Sequence, residues 1–343
     1  MTLLFDKHRI VSPALAPSQL REVVELGGAR NSDAALTIGL VNNMPDSALQ
    51  ATERQFMRLL TAAAGNRRVR FHCFSLPSIN RSKSAQWRIG QEYNDIADLG
   101  RLQLDGLIVT GAEPNAATLQ EEPFWQDLTD IIDWARTNTR STIWSCLAAH
   151  AAVLHLDGVE RRRLDQKCSG IYDCAKVSDN WLTADVSSPL KISHSRLNEL
   201  RESELAAAGY QTLTRSHEAG VDIFAKQLRS QFIFFQGHPE YEALSLQREY
   251  LRDITRYLSG ERDTYPAHPV GYFDAPTEKR LAHFQKRAIA ERTLPLSVEL
   301  PHLTLRRDIA AGAAAAVIFR NWLGFLSDGM NAMSLPREGG ARR

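Results

Sequence analysis

The chain has 343 residues, 43% hydrophobic and 24% charged, with 41 Lys and Arg against 40 Asp and Glu. That composition suits one large or two modest globular domains, and a net charge of +1 offers no overall attraction to nucleic acid. Four cysteines in so long a chain exclude a disulfide scaffold and fit a reducing compartment. The opening residues carry no secretory-signal pattern, so a cytoplasmic location is expected.

Residues 1–34 read as an irregular segment. Leu36 to Val41, apolar but for Thr37, predicts a buried strand. Ser47 and Gln50 have capping-box spacing and predict a helix through about Ala64, with Phe56, Leu59, Leu60 and Ala63 as its inward stripe. Val69 to Phe74 predicts a second strand and Leu104 to Thr110 a third. A helix is expected from about Pro123 to Arg136, then a strand over Ser141 to Trp144. A small-residue helix from Leu147 to about Leu156 is stopped by Asp157-Gly158. Residues 171–186 hold β-like pieces and no helix, as an inserted hairpin or sheet edge would. Gln231 to Phe235 predicts another strand, followed by a helix from about Glu242 to Leu258.

Alternating strands and helices predict an α/β fold, a doubly wound and mostly parallel sheet flanked by helices, over residues 35–260. Residues 261–335 read as a C-terminal helical extension packed on that core, entered through a connection at 265–276, and 336–343 as a flexible tail. Ile309 to Leu326 is the one membrane-like stretch, but it contains Arg320 and Asn321. Phe319, Trp322 and Leu326 recur at helical spacing, which predicts packing on protein and no membrane partner.

Three segments carry chemistry. In Ser141-Thr-Ile-Trp-Ser-Cys146-Leu-Ala-Ala-His150 a cysteine stands between a buried strand and a helix start. Ligands gather beyond strand carboxyl ends in such sheets, and a helix N-terminus favours the negative charge a thiolate nucleophile carries. Ala148 and Ala149 allow close approach at such a turn. A buried structural cysteine is the plain alternative. In Gly237-His238-Pro239-Glu240 the proline forces His238 into extended geometry. Glu240, two residues on, then projects to the same side and can orient the ring. A strand-end turn with a solvated carboxylate is the alternative. Gly111 and Ala112 end the third strand, and their backbone N–H groups, with that of Leu147, can form an oxyanion hole. A simple turn glycine remains possible there. Glu53 shares a helix face with Phe56 and Leu60, and its inward carboxylate reads as a first-turn acid favoured by the helix dipole. Arg161-Arg-Arg163 could attract the phosphates of a nucleotide-bearing substrate or be a solvated loop. No metal-ligand motif and no glycine-rich phosphate loop occurs, so neither a metal nor a bound cofactor is expected.

These segments, in this order, resemble the homoserine O-acyltransferase family usually called homoserine O-succinyltransferase, whose fold is that of class I glutamine amidotransferases. The resemblance runs through Gly39-Leu-Val-Asn-Asn-Met-Pro45, Thr52-Glu53-Arg-Gln55-Phe56, Asp105 to Ala112, the Cys146 segment, Lys167 to Tyr172, and Gly237 to Tyr241 with Arg252-Asp253. It implies that Cys146 is the acyl-thioester nucleophile, His238 the proton acceptor and Glu240 the residue that orients it. Lys167, Ser195 and Arg252 match positions that bind substrate, and Arg252 can clamp an amino-acid carboxylate with two hydrogen bonds. Asn115 falls at the position where family members that use acetyl and succinyl donors differ.

The chain departs from the family at Leu147 and His150, where Trp and Gln are usual, and at Asp46-Ser47, where lysines are usual. Its stretch 275–308 is also longer. The expectation is a homoserine O-acyltransferase of methionine biosynthesis, using succinyl-CoA or acetyl-CoA as co-substrate and forming a homodimer. Serine or another hydroxy amino acid as acceptor, a glutamine-hydrolysing amidotransferase, and a catalytically silent binding protein are the alternatives.

Overall fold

The computed structural model describes residues 3–5, 35–307 and 312–334. Its strands are β1 (Leu3–Phe5), β2 (Leu36–Val41), β3 (Val69–Phe74), β4 (Gly106–Thr110), β5 (Ser141–Ser145), β6 (Arg162–Lys176), β7 (Leu190–Glu199), β8 (Gln211–Ser216), β9 (Gly220–Gln227) and β10 (Gln231–Phe235). They form one sheet in the order β1-β3-β2-β4-β5-β10-β9-β8-β6-β7. Pairing is parallel from β1 through to β10 and antiparallel from β10 outward. The fold is thus α/β as expected, with a mixed sheet whose parallel half contains the strands predicted from the apolar runs. The 171–186 stretch is the end of β6 and a short 3-10 turn at Trp181–Thr183, inside the antiparallel half.

The helices are α1 (Asp46–Ala64), α2 (Lys83–Glu92), α3 (Trp125–Asn138), α4 (Leu147–Asp157), α5 (Glu202–Ala207), α6 (Ser245–Leu258), α7 (Ala275–Glu291) and α8 (Ala313–Ser334). The predicted capping box does not form. Pro45 occupies the N-cap of α1 with no side-chain cap, so Ser47 already lies within the first turn and cannot cap it. The stop of α4 is as expected: Gly158 takes the left-handed conformation, φ 69°, that a residue with Cβ avoids.

Two apolar layers sandwich the sheet. On one face β2 and β3 pack against Phe56, Leu60 and Ala63 of α1 and against Ile318, Phe319, Trp322 and Leu326 of α8. On the other, β4, β5 and β10 pack against α3 and the alanine-rich α4. From Ala313 onward the membrane-like stretch is therefore a core helix. Trp322 is fully buried, its indole N–H donates to Ser141 Oγ at 3.0 Å, and a Cβ on Gly106 would stand 2.7 Å from its ring. Among the described residues no helix is long and apolar enough to cross a membrane. A third apolar cluster joins α6 and α7 through Tyr250, Ile254, Leu281 and Phe284. The 265–276 connection is more than a tether: Val270 bridges to Gly170 of β6, and Phe273 to Leu305. The irregular segment expected over 1–34 lies outside the described residues except at β1, and the tail expected over 336–343 lies outside them entirely.

Candidate active site

Three neighbouring strands end in register. Thr110 of β4 is opposite Ser145 of β5, and Ser145 is opposite Phe235 of β10. All three strands are buried along their length, as parallel strands covered on both faces must be. The next residues out are Gly111, Cys146 and the Gln236-Gly-His238 turn, so one sheet edge receives all of them. Ligand sites gather at this edge of doubly wound sheets.

Cys146 is the N-cap of α4, with φ 53° and ψ −112°, a conformation that non-glycine residues rarely hold without surrounding support. That support comes from the Cys146 N–H, which donates to the Phe235 carbonyl at 2.7 Å, and from fully buried Ala148 and Ala149. The strained turn lifts the sulfur out of the strand toward the edge. His238 is anchored by its own N–H, which donates to the Ser193 carbonyl of β7 at 2.7 Å. Its Nδ1 is 2.8 Å from Glu240 Oε1, so Nδ1 carries the proton toward the carboxylate. Burial alone would depress the His238 pKa. The Glu240 charge, then Cys146 through charge and a hydrogen bond, override burial and raise it well above the ordinary imidazole value. The thiol, imidazole and carboxylate thus stand together at one sheet edge.

Gly111 faces Leu147 closely: a Cβ there would fall 2.5 Å from Leu147 Cβ and 3.1 Å from its backbone nitrogen. The Leu147 N–H opens α4 and has no acceptor within its helix. These groups and Ala112 border a cavity of about 640 Å³ that also exposes Cys146, His238 and Glu240.

Lys167, Ser195 and Arg252 line the same cavity, but none is unpaired. Lys167 Nζ lies 2.9 Å from Asp253 Oδ2 and 3.5 Å from Glu249 Oε2. The Ser195 hydroxyl donates to Glu249. Arg252 donates from Nε and Nη2 to Asp253 Oδ1 at 3.1 and 3.0 Å. Burial would raise the Glu249 and Asp253 pKa values, yet Lys167 in both cases, with Ser195 or Arg252, holds them below the usual carboxylate range. This end of the cavity therefore carries both signs of charge side by side. Asn115 is exposed and does not line the cavity, although Pro114 and Ala116 do. Its N–H and that of Ala116 both donate to buried Glu122 Oε1, at 2.6 and 2.7 Å.

Sequence reasoning missed several participants. The Tyr241 ring stacks on His238 and its hydroxyl donates to Glu249 Oε1. Glu249 and Asp253 sit one helical turn apart on α6 and face the cavity; the i, i+4 spacing of two acids was the available signal. His150 is buried against Gln236, 3.2 Å away, and burial pushes its pKa down to about 3, so it stays neutral. Beneath His238, fully buried Cys174, His194 and Asp222 gather within 4.8 Å. His194 Nε2 lies 3.4 Å from Asp222 Oδ1, and the Thr214 hydroxyl donates to Asp222 Oδ2 at 2.9 Å. They come from three different strands and share no motif. The dipole reading of Glu53 is corrected: it stands well inside α1, away from its first turn, and pairs with Arg88 of α2 at 2.8 Å. The Asn42-Asn-Met-Pro45 run proves to be a scaffold. Asn43 ties to Thr110 through its N–H and side chain, and the buried Arg81 guanidinium donates to the Asn42 and Met44 carbonyls. Met44 and Pro45 thereby become a cavity wall.

Comparison with known proteins adds a family to this geometry. The sequence model of homoserine O-succinyltransferases matches residues 18–330. A homoserine O-succinyltransferase of Bradyrhizobium japonicum is 60% identical over 96% of this chain and 100% of its own length. One from Rhodopseudomonas palustris is 58% identical over 94% and 98%, and one from Methylorubrum extorquens 43% identical over 95% and 98%. A solved glutamine amidotransferase from Methylobacillus flagellatus superposes with a TM-score of 0.46 at 14% identity, covering 91% of this chain and 99% of that one.

Proposed function

The chain belongs to the homoserine O-succinyltransferase family, and from that premise we propose that it transfers an acyl group from acyl-CoA to the hydroxyl of L-homoserine through a thioester on Cys146. The Cys146 sulfur attacks the donor carbonyl while His238 holds the proton, the pair acting as thiolate and imidazolium. The oxyanion of the tetrahedral adduct is met by backbone N–H groups at Gly111, Ala112 and Leu147. Collapse expels coenzyme A, whose sulfur is protonated by His238. The imidazole, now neutral, takes the proton from the homoserine hydroxyl as its oxygen attacks the acyl-enzyme, and the second collapse returns the thiolate. Glu240 keeps the ring in one tautomer throughout.

The observation that carries this reading is the mixed-charge end of the cavity beside that triad. A zwitterionic amino acid needs a cation for its carboxylate and an anion for its ammonium. Lys167 and Arg252 offer the first, Glu249 and Asp253 the second. Substrate binding would exchange internal ion pairs for equivalent ones, so little charge is left uncompensated in either state. Product feeding methionine biosynthesis, a cytoplasmic setting and acyl-CoA as co-substrate without a bound cofactor all follow from the same reading.

The test supplies succinyl-CoA or acetyl-CoA with homoserine, serine or glutamine and weighs the products. An O-acylhomoserine, together with an acyl adduct on the protein that disappears in Cys146→Ala, is the expected result. Ammonia released from glutamine without acyl transfer, or turnover that survives in Cys146→Ala, would overturn it.

A further inference from the structure

We propose that Arg161 is the specificity residue for the acyl donor, binding the free carboxylate of a dicarboxylic acyl group while its other end is attached to Cys146. The proposal rests on the acyltransferase reading above and names which donor that site is built for. Arg161 precedes β6, is half-buried, and lines the cavity that holds Cys146. Its Nη1 is shielded from solvent and has no hydrogen-bond partner, an arrangement that is costly for a guanidinium unless a ligand completes it. Lys167 and Arg252 are paired to Glu249 and Asp253, Arg256 to Glu113 and Arg262 to Asp253. Arg196 donates to backbone carbonyls, and Arg163, though it also borders the cavity, is exposed, so its charge is met by solvent.

Arg161 shares none of those carboxylates. Burial lowers its pKa, and the charges it senses are Glu122, Arg163 and Cys146. It therefore lies within electrostatic reach of the sulfur. Glu122 places it further, because that carboxylate pins the Asn115 and Ala116 N–H groups and has its second oxygen buried and unpartnered. Arg161 is thus on the side of the cavity walled by the 113–117 loop. A succinyl group on Cys146 would extend its carboxylate roughly 4 Å beyond the reacting carbonyl, from ordinary carbon–carbon bond lengths. A planar guanidinium with an open N–H edge meets such a group with paired, charge-assisted hydrogen bonds. An acetyl group offers it nothing.

The experiment compares Arg161→Ala and Arg161→Lys with the wild-type enzyme. It measures kcat/KM for succinyl-CoA and for acetyl-CoA at saturating homoserine, and inhibition by free coenzyme A. Loss of a charge-assisted hydrogen bond predicts a fall of about 30-fold or more for succinyl-CoA in the alanine variant. Lysine should recover part of it, while acetyl-CoA turnover and the coenzyme A inhibition constant move less than about threefold. Equal losses with both donors, or weaker coenzyme A inhibition, would assign Arg161 to the nucleotide part of the donor and overturn the proposal. So would an unchanged succinyl-CoA rate, or a wild-type preference for acetyl-CoA. Wild-type enzyme that acylates homoserine from neither donor would instead remove the acyltransferase reading itself.

Discussion

The Tyr241 ring lies on the face of the His238 imidazole, centroids 4.2 Å apart and planes 19° from parallel. Its hydroxyl donates to Glu249, so the His238 imidazole and the Glu249 carboxylate share one support. Tyr241→Phe keeps the stack and removes only the hydrogen bond; Tyr241→Ala removes both. Stacked aromatic pairs contribute about 0.5–1.5 kcal/mol beyond their buried area. Phe is expected to retain kcat within about threefold. Ala is expected to lose roughly tenfold in kcat with a small drop in melting temperature, since the ring is no longer held in one plane. Steady-state kinetics on both variants check this, and equal effects of Phe and Ala would show that the stack has no positioning role.

Glu240 sets the pH range over which His238 stays protonated. Burial opposes a charged His238, while Glu240 is the foremost group raising its pKa, ahead of Cys146. Glu240→Gln removes that charge and keeps the size, so the folded His238 value falls. The alkaline limb of kcat/KM for the acyl donor, which reports the free enzyme, should move to lower pH. The stability sign agrees. A raised folded value means that His238 contributes stability fully below about 6.5, its unfolded value, and loses that contribution as pH rises through the folded value. The stability deficit of the variant should therefore be largest at or below neutral pH and shrink in alkali. A pH–rate profile and melting curves across pH test both, and an unmoved alkaline limb would contradict the coupling.

Gly111 leaves room for the turn that opens α4. With a Cβ 2.5 Å from Leu147 Cβ, Gly111→Ala must push the two strand ends apart, and overpacking of this kind costs about 1–3 kcal/mol. Displaced oxyanion donors typically cost about 10²–10³ in rate. Single-turnover acylation should slow by that order while the KM for homoserine stays within a few-fold, because Lys167, Glu249 and Asp253 lie elsewhere. A variant that acylates normally would place the oxyanion away from this turn.

What the sequence made legible follows from how each residue is used. Leu36–Val41, Val69–Phe74 and Gln231–Phe235 are strands buried over most of their length, so they appear as mostly apolar runs with few polar interruptions. Cys146, His238 and Glu240 stand at the ends of such runs, and Pro239 fixes the local geometry that pairs the last two. The antiparallel half was harder to read. β6 begins with exposed Arg162 and Arg163, and its partners lie on distant stretches of chain. α2 buries only Ala85 and so shows no apolar stripe. Glu249, Asp253 and Arg161 look like ordinary surface charges in one dimension. Their roles come from pairing, or from the lack of it, across elements that only folding brings together.

The C-terminal helix is the last case, because the sequence presents it as an extension while the packing makes it half of one core layer. Trp322, Phe319 and Leu326 are fully buried, the Trp322 indole bonds to Ser141 on the strand that leads to Cys146, and Gly106 on the neighbouring strand has no side chain because that indole takes the space. Removing a buried Trp costs about 3–5 kcal/mol in lost transfer energy and residual cavity, a large share of a typical domain's stability. Trp322→Ala, and still more a chain ending before Ala313, should unfold at much lower denaturant concentration. Such a chain should lose acyl transfer together with the fold, although none of the described α8 side chains lines the cavity. Trp322→Phe should recover most of the packing but not the hydrogen bond, and so fall between. A shortened chain with an unchanged denaturation midpoint and full activity would mean that the sheet is complete without this helix, and that Gly106 and Ser141 tolerate solvent where the indole now lies.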